Sequence, residues 1–146
     1  MASVKKFFTA EEQKKIIAAI QEAEKETSGE IRLHLESRCK GDPLARAVKI
    51  FASLKMHKTK LRNGTLIYLA VLDRKFAIFG DEGINKVVPE NFWEDVKEEM
   101  RAHFVKGDFL NGVISGILRI GEKLKEYFPY QQDDVNELPD EISMGE

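Results

Sequence analysis

Apolar and polar positions follow three different patterns along the chain, and each pattern predicts a different kind of element. Apolar residues recur every three or four positions over residues 16–23, the spacing of an amphipathic helix. They alternate strictly with polar residues over residues 30–37, which predicts a half-exposed strand. They run almost without interruption over residues 65–72, which is typical of a central strand covered on both faces. These patterns together predict an α/β protein.

Capping signals indicate where the first two helices begin. Thr9 and Glu12 match a capping box, in which each side chain satisfies a backbone donor that the helix leaves free. Asp42 followed by Pro43 is a second start signal, because Asp is a preferred N-cap residue and Pro is favoured at the first helical position. The first two strands therefore flank a helix, so we expect them to be parallel, with a right-handed crossover.

The second half of the chain is predicted to contain a hairpin and two helices. Polar residues 73–75 interrupt the apolar pattern before strand character resumes at residues 76–79, which indicates a β-hairpin. Pro89 is predicted to open a helix that Gly107 ends, and Asp108 is predicted to cap a final helix. Three glycines inside that final helix, at 112, 116 and 121, indicate close packing against a neighbouring element.

The chain divides into one domain over residues 1–130 and an acidic tail over residues 131–146. Tail residues include Pro139 and few large apolar side chains, a composition that predicts disorder. An alternative is that Leu138 and Ile142 form a short motif that binds a protein partner.

Charge and cysteine content narrow the possible partners and compartment. The 146-residue chain has a formal net charge of −2, which predicts no strong attraction to nucleic acid or anionic lipid. Cys39 is the only cysteine, and an unpaired thiol fits a reducing compartment. The N-terminus has no apolar signal-peptide region, and no apolar run is long enough to cross a bilayer. We therefore expect a cytoplasmic protein without direct membrane insertion.

Five short motifs, in this order and spacing, resemble those of the TPM domain family. They are TSGEIR at residues 27–32, NGTLI at 63–67, LDRKF at 72–76, GDEGI at 80–84 and FVKGDF at 104–109. The resemblance implies a three-layer α/β/α sandwich with a small mixed sheet flanked by helices. It also implies divalent-cation binding and, in some members, hydrolysis of phosphate monoesters. Many members carry an export signal and a membrane anchor, so this chain resembles a stand-alone soluble member.

The predicted topology indicates where such chemistry would lie. Parallel strands end at the same edge of a sheet, and open α/β sheets bind ligands at that carboxyl edge. We expect Glu36, Asp73 and Asp108 to supply oxygens to Mg²⁺ or Ca²⁺, which prefer carboxylate ligands. Arg38 and Arg74 would bind substrate phosphate through their guanidinium groups, and Asp73 and Arg74 are the predicted catalytic residues.

Each of these residues also has an ordinary structural explanation. Asp108 can serve only as a helix cap, Asp73 can serve only to shape the hairpin turn, and Glu36 and Arg38 can be solvated strand ends. The functional hypothesis therefore depends on their convergence at one edge.

Other residues with chemical potential have weaker patterns. Asp81, Glu82 and Glu30 form a rival acidic group at the opposite edge, although an ordinary acidic loop is the simpler interpretation. Cys39 lacks the loop of a cysteine phosphatase, so a free thiol is expected. His34 lies on the polar strand face, where a surface role is expected, and the histidines lack zinc-ligand spacing.

Two functions follow as expectations. The first is a divalent-metal-dependent phosphatase that acts on a phosphorylated small molecule or protein, and attack by metal-bound water is the simplest mechanism. The alternative is a non-catalytic Ca²⁺- or Mg²⁺-binding module that interacts with another protein.

Overall fold

A computed structural model of the chain describes residues 4–130 and 138–145. A short 3₁₀ turn at Val4–Lys6 precedes the regular elements of this part of the chain. The elements are α1 (Ala10–Glu24), β1 (Glu30–Glu36), α2 (Pro43–Ser53), β2 (Gly64–Ala70), β3 (Lys75–Gly80), α3 (Glu82–Asn85), α4 (Glu94–Val105), α5 (Phe109–Tyr127) and β4 (Ser143–Met144).

The four strands form one mixed sheet in the order β3-β2-β1-β4. β1 and β2 are parallel, in a register that runs from Glu30 opposite Gly64 to Glu36 opposite Ala70. β2 and β3 form an antiparallel hairpin, and β4 adds to the other side of β1 in parallel. The predicted parallel pair and hairpin are therefore confirmed.

Helices cover both faces of this sheet. Ile31 and Leu33 of β1 and Ile67 of β2 pack in an apolar cluster with α1, α4 and α5. On the opposite face, Leu66 and Tyr68 pack in a second cluster with α2. Successive side chains of β2 thus point into two different apolar clusters, one on each face of the sheet. The predicted α/β/α sandwich is confirmed.

Close packing explains the glycines of α5. A Cβ at Gly121 would lie 2.7 Å from the Cβ of Ala23 on α1 and 3.1 Å from that residue's Cα and carbonyl oxygen. A Cβ at Gly116 would instead meet the flexible end of Met100 on α4, with the nearest atom 2.5 Å away. The absence of a side chain therefore lets α5 approach both neighbours, as predicted.

The prediction that β1 is half exposed is wrong. Glu30, His34 and Glu36 on its polar face are only 3%, 4% and 5% exposed. The reason is that α2 and the C-terminal segment cover the polar face and outer edge of β1. The alternation therefore separates an apolar core from a buried polar cluster rather than from solvent.

The prediction of a disordered tail is also wrong for residues 138–145, while residues 131–137 and 146 lie outside the described residues. Leu138 is buried in the α2-side cluster, and Ile142 and Met144 pack against the other cluster. The backbone N–H of Gly145 donates to the carbonyl of Leu35 at 2.7 Å. This C-terminal segment, residues 138–145, therefore completes the sheet.

Two predicted boundaries differ from the structure. α4 begins at Glu94 rather than at Pro89, because residues 89–93 form turns that bury Phe92 and Trp93. The acidic loop at residues 80–83 contains the start of α3, for which Asp81 is the N-cap. Among the described residues, none of the helices combines the length and the apolar character that crossing a bilayer would require.

Candidate functional site at the carboxyl edge of the sheet

Two loops meet where β1 and β2 end. Asp73, in the β2–β3 turn, accepts a hydrogen bond from Arg38 at 3.0 Å and another from the backbone N–H of Cys39 at 2.8 Å. Lys75 donates to the carbonyl oxygens of Cys39 and Gly41 at 3.1 and 3.0 Å. Asp73 and Lys75 thus join the loops at the carboxyl ends of the two parallel strands; Arg38 and Asp73 were predicted at this edge, and Lys75 was not.

The loop between α4 and α5 reaches the same edge. The Arg74 guanidinium lies 6.0 Å from the centre of the Phe109 ring, and Phe109 stacks on Phe104 at 5.3 Å. Asp108 precedes Phe109 directly in the chain. The carboxyl rim, defined here as Arg38, Asp73, Arg74, Lys75 and Asp108, therefore collects residues from three separate loops.

Asp108 has a clear structural role at this rim. Its carboxylate caps α5 by accepting from the backbone N–H of Asn111 at 3.2 Å and from the side-chain amide of Asn111 at 2.9 Å. These bonds from Asn111 lower the pKa of Asp108. The carboxylate is therefore ionised at neutral pH, and 41% of the side chain remains accessible to a ligand.

Glu36 does not join the rim, although the sequence placed it there as a metal ligand. Arg46 of α2 binds both its carboxylate oxygens, at 3.0 and 2.6 Å, and the Tyr68 hydroxyl donates to it at 2.7 Å. Burial alone would raise the pKa of Glu36, but hydrogen bonds from Arg46, Tyr68 and His34 outweigh burial and lower this pKa to about 2. Its side chain is 7% exposed and faces α2.

His34 belongs to the same buried polar cluster, so its predicted surface role is wrong. One ring nitrogen lies 2.8 Å from the Ser143 hydroxyl, and the other lies 3.3 Å from a Glu36 oxygen. Burial lowers the pKa of His34, which keeps the ring neutral at pH 7. Sequence reasoning missed Arg46, Tyr68 and Ser143 as members of this cluster. Tyr68 was the available signal, since it is a polar-tipped residue within an apolar strand, opposite His34 in the register.

The described residues do not form the three-carboxylate cation site that the sequence predicts. In the part of the chain that the structure describes, no group of three His, Cys, Asp or Glu residues is placed to hold a metal ion. The predicted three-carboxylate site is thus not assembled, because Arg46 holds Glu36. Mg²⁺, however, is commonly held by one or two carboxylates together with waters and substrate phosphates. Asp73 and Asp108 are the two carboxylates of the rim, and each already accepts two hydrogen bonds within the protein.

The rival acidic group is neutralised by an arginine. Arg62 binds both carboxylate oxygens of Asp81 at 2.7 and 2.9 Å, and it also binds Glu82 at 3.0 Å. Asp81 in addition caps α3. These contacts explain the acidic loop without a cation. Cys39 is a buried free thiol, as expected.

The layers and the strand order define an α/β/α sandwich protein with a candidate site at the carboxyl edge of its parallel strands. The chain belongs to the TPM domain family, whose model matches residues 3–123. It is similar to the BA42 protein of the psychrophilic bacterium Bizionia argentinensis, with 48% identity over 99% of this chain and 100% of that chain, and a TM-score of 0.92.

A more distant structure shows the same fold. The N-terminal domain of the cg2496 protein from Corynebacterium glutamicum is 12% identical, over 99% of this chain and 84% of that chain, with a TM-score of 0.65. No protein with a curated description matches this chain.

Proposed function

We propose that this protein is a divalent-cation-dependent phosphomonoester hydrolase whose substrate binds at the carboxyl rim. The observation that carries the proposal is the meeting of three loops at one sheet edge, where Arg38, Arg74 and Lys75 lie close to Asp73. Such loop clusters at the carboxyl edge are where open α/β sheets bind ligands. Membership of a family whose model name includes the word phosphatase supports the same reaction class.

Cationic side chains of the rim suit a phosphate group. The Arg38 side chain is 70% exposed and Arg74 is also exposed, so both can turn toward an incoming anion. A guanidinium matches two phosphate oxygens at once, which gives orientation as well as attraction. Asp73 already orients Arg38 through a 3.0 Å contact, so part of this arrangement exists before substrate binds.

Asp73 and Asp108 are the residues that would hold the cation. When bound, a divalent cation would offset the charge of the phosphate and polarise a phosphoryl oxygen. The remaining steps fall to the protein: Arg38 and Arg74 bind and orient the phosphate, and Phe109 covers Arg74 on one side. We further propose a cytoplasmic location and a phosphorylated small molecule or protein as substrate.

An aryl phosphate assay tests this proposal. Hydrolysis should require Mg²⁺ or Ca²⁺, stop with EDTA, and fall about a hundredfold in Arg74→Ala, the loss typical when one charge-stabilising group is removed. Asp73→Asn should also abolish most of the rate while keeping an oxygen that can accept from the N–H of Cys39. Circular dichroism would verify that each variant remains folded.

Asp95→Asn is the matched control for Asp73→Asn. Asp95 is also paired with an arginine, at 2.8 Å from Arg119, but it lies in the first turn of α4, at the opposite end from the rim. The 12 residues of this helix separate its ends by about 18 Å. Equal loss of rate in Asp95→Asn and Asp73→Asn would mean that the rim is not the site.

The second candidate is a non-catalytic cation-binding module that interacts with a protein partner. The contacts between Arg46 and Glu36 favour this non-catalytic module, because they leave the rim with one carboxylate fewer for cation binding and catalysis. A rise in melting temperature with Mg²⁺, together with a hydrolysis rate that neither EDTA nor Arg74→Ala changes, would support this module instead of the hydrolase.

A further inference from the structure

The carboxyl end of β1 is held from both sides. On one side, the N–H of Leu72, just beyond β2, donates to the carbonyl of Ser37 at 2.8 Å. On the other side, the N–H of Gly145 donates to the carbonyl of Leu35 at 2.7 Å. Because β4 is parallel to β1, the C-terminal segment ends at the same edge of the sheet as the carboxyl rim. Arg38 of the rim therefore follows a strand end that the C-terminal segment helps to fix.

The C-terminal segment also closes the polar cluster around Glu36. The Ser143 hydroxyl lies 2.8 Å from one ring nitrogen of His34, and the other ring nitrogen lies 3.3 Å from a Glu36 oxygen. Gly145 is so close that an added Cβ would lie 2.9 Å from a Glu36 oxygen and 3.2 Å from the His34 ring. The segment thus covers one side of the Glu36 carboxylate, which is 7% exposed and binds Arg46 through both oxygens.

Arg46 connects this polar cluster to the loop that carries part of the rim. It lies in the first turns of α2, which begins directly after the loop of residues 38–42. Lys75 holds the same loop from the β2–β3 turn, through the carbonyls of Cys39 and Gly41. The loop therefore has three supports: the β2–β3 turn, the start of α2 and the end of β1. The C-terminal segment contacts the end of β1 directly and the start of α2 through the polar cluster.

We propose that the C-terminal segment is a positioning segment for the carboxyl rim, which orders residues 38–42 for phosphate binding while it is docked and weakens the site when it detaches. This inference rests on the proposed function, because it concerns phosphate binding at the same rim. Detachment would leave β1 paired on one side only, and such strand ends open more readily. It would also admit water to the contact between Glu36 and Arg46, which weakens a charged hydrogen bond.

NMR relaxation of the full chain without ligand tests the positioning. Leu138→Asp puts a carboxylate into the apolar cluster on the α2 side and should detach the segment, which a changed Gly145 amide signal would report. Leu138 lies near Gly64 at the opposite end of β1, so the new charge does not touch the rim. The order parameters of residues 38–42 should fall from about 0.85 to below about 0.6, while those of α5 stay near about 0.85.

The dissociation constant of phenylphosphonate, measured by NMR titration with Mg²⁺, tests the consequence for the site. It should rise about tenfold in Leu138→Asp, as expected when the loop is ordered about a tenth of the time. Val87→Asp is the matched control, because it introduces the same group at a position that is 52% exposed, beyond α3. Val87→Asp should bind like the wild type, and so should Leu138→Met, which keeps an apolar side chain of similar volume.

Gly145→Val is a second variant that covers the case in which Leu138→Asp does not fold. Its added atoms meet the Glu36 carboxylate and should push the end of the segment away without changing an apolar core. The proposal is overturned if residues 38–42 stay as rigid as in the wild type when the segment is detached, or if the detached and wild-type proteins bind phenylphosphonate equally well. If the wild type binds no phenylphosphonate, the proposed function fails, and the rigidity of residues 38–42 in the detached protein decides this inference by itself.

Discussion

The contacts of Glu36 yield a quantitative prediction that separates its structural role from a role in cation binding. Arg46 and Tyr68 hold its carboxylate inside the fold, and the pKa of the group is about 2 rather than the ordinary 4.5. Since one pH unit of pKa difference corresponds to about 1.4 kcal/mol, the ionised carboxylate stabilises the folded state by about 3 kcal/mol. Glu36→Gln should therefore lower the free energy of unfolding by about 2–3 kcal/mol at pH 7.

Urea unfolding at several pH values measures this contribution. The lowered pKa means that the stabilisation is complete above pH 4.5 and is lost as the pH falls toward 2. The difference between wild type and Glu36→Gln should accordingly shrink to less than about 1 kcal/mol near pH 2.5. Glu11→Gln is the control, because its side chain is 80% exposed and its loss should cost less than about 0.5 kcal/mol at any pH.

Two results would refute this reasoning. A difference between wild type and Glu36→Gln that stays constant from pH 7 to pH 2.5 would show that the cost comes from packing rather than from the charge. A large loss of Mg²⁺ affinity in folded Glu36→Gln would show that Glu36 is a cation ligand. We expect no such loss, because Arg46 already binds the Glu36 carboxylate.

Three further predictions follow from packing and ligand binding. Gly121→Ala should destabilise the protein by about 1–2 kcal/mol despite the better helix propensity of Ala, because the added Cβ meets the backbone of Ala23. Gly116→Ala should be nearly neutral, because the flexible end of the Met100 side chain can move away from the added Cβ. The urea unfolding midpoints of the Gly121→Ala and Gly116→Ala variants, compared with that of the wild type, test both predictions. Leu138→Ala should cost about 2 kcal/mol in the same assay, and no loss would mean that the C-terminal segment is not docked. Millimolar Mg²⁺ or Ca²⁺ should raise the melting temperature, and an unchanged temperature would count against any cation site.

Much of the fold could be predicted from local sequence patterns, because those patterns reflect which side chains pack on which face. The capping box at Thr9 and the Asp42-Pro43 start are formed as expected, since they involve only neighbouring backbone groups. The parallel pairing of β1 and β2 also followed, because a helix between two strands requires a crossover.

The prediction errors arise where tertiary contacts bury a residue that its local sequence pattern places in solvent. Alternation along β1 indicates two different environments, but it cannot distinguish water from a buried arginine and tyrosine. Arg46 lies ten residues after Glu36 on another element, so their pairing depends on how α2 crosses the sheet. Composition similarly predicted a disordered tail, because it does not count the few apolar residues, such as Leu138, that find a site on the domain.

At the candidate site too, the positions of the loops could be predicted, but some of the side-chain pairings could not. Sequence reasoning brought the β2–β3 turn and the α4–α5 loop to one edge, because strand direction fixes where loops emerge. The cap that Asp108 forms on α5 was predicted, because it involves only neighbouring backbone groups. The binding of Arg38 by Asp73 could not be predicted, because that pairing depends on side-chain positions.

The most direct test of a phosphate site at the carboxyl rim is an NMR titration with Mg²⁺ and phenylphosphonate. Phenylphosphonate mimics a phosphate ester but is not hydrolysed. Backbone amide shifts should change together for residues 38–42, 73–75 and 106–109, and both components should be needed for the full change. Shifts centred on Asp81 and Glu82 at the opposite edge, or no saturable shift anywhere, would contradict a phosphate site at the carboxyl rim.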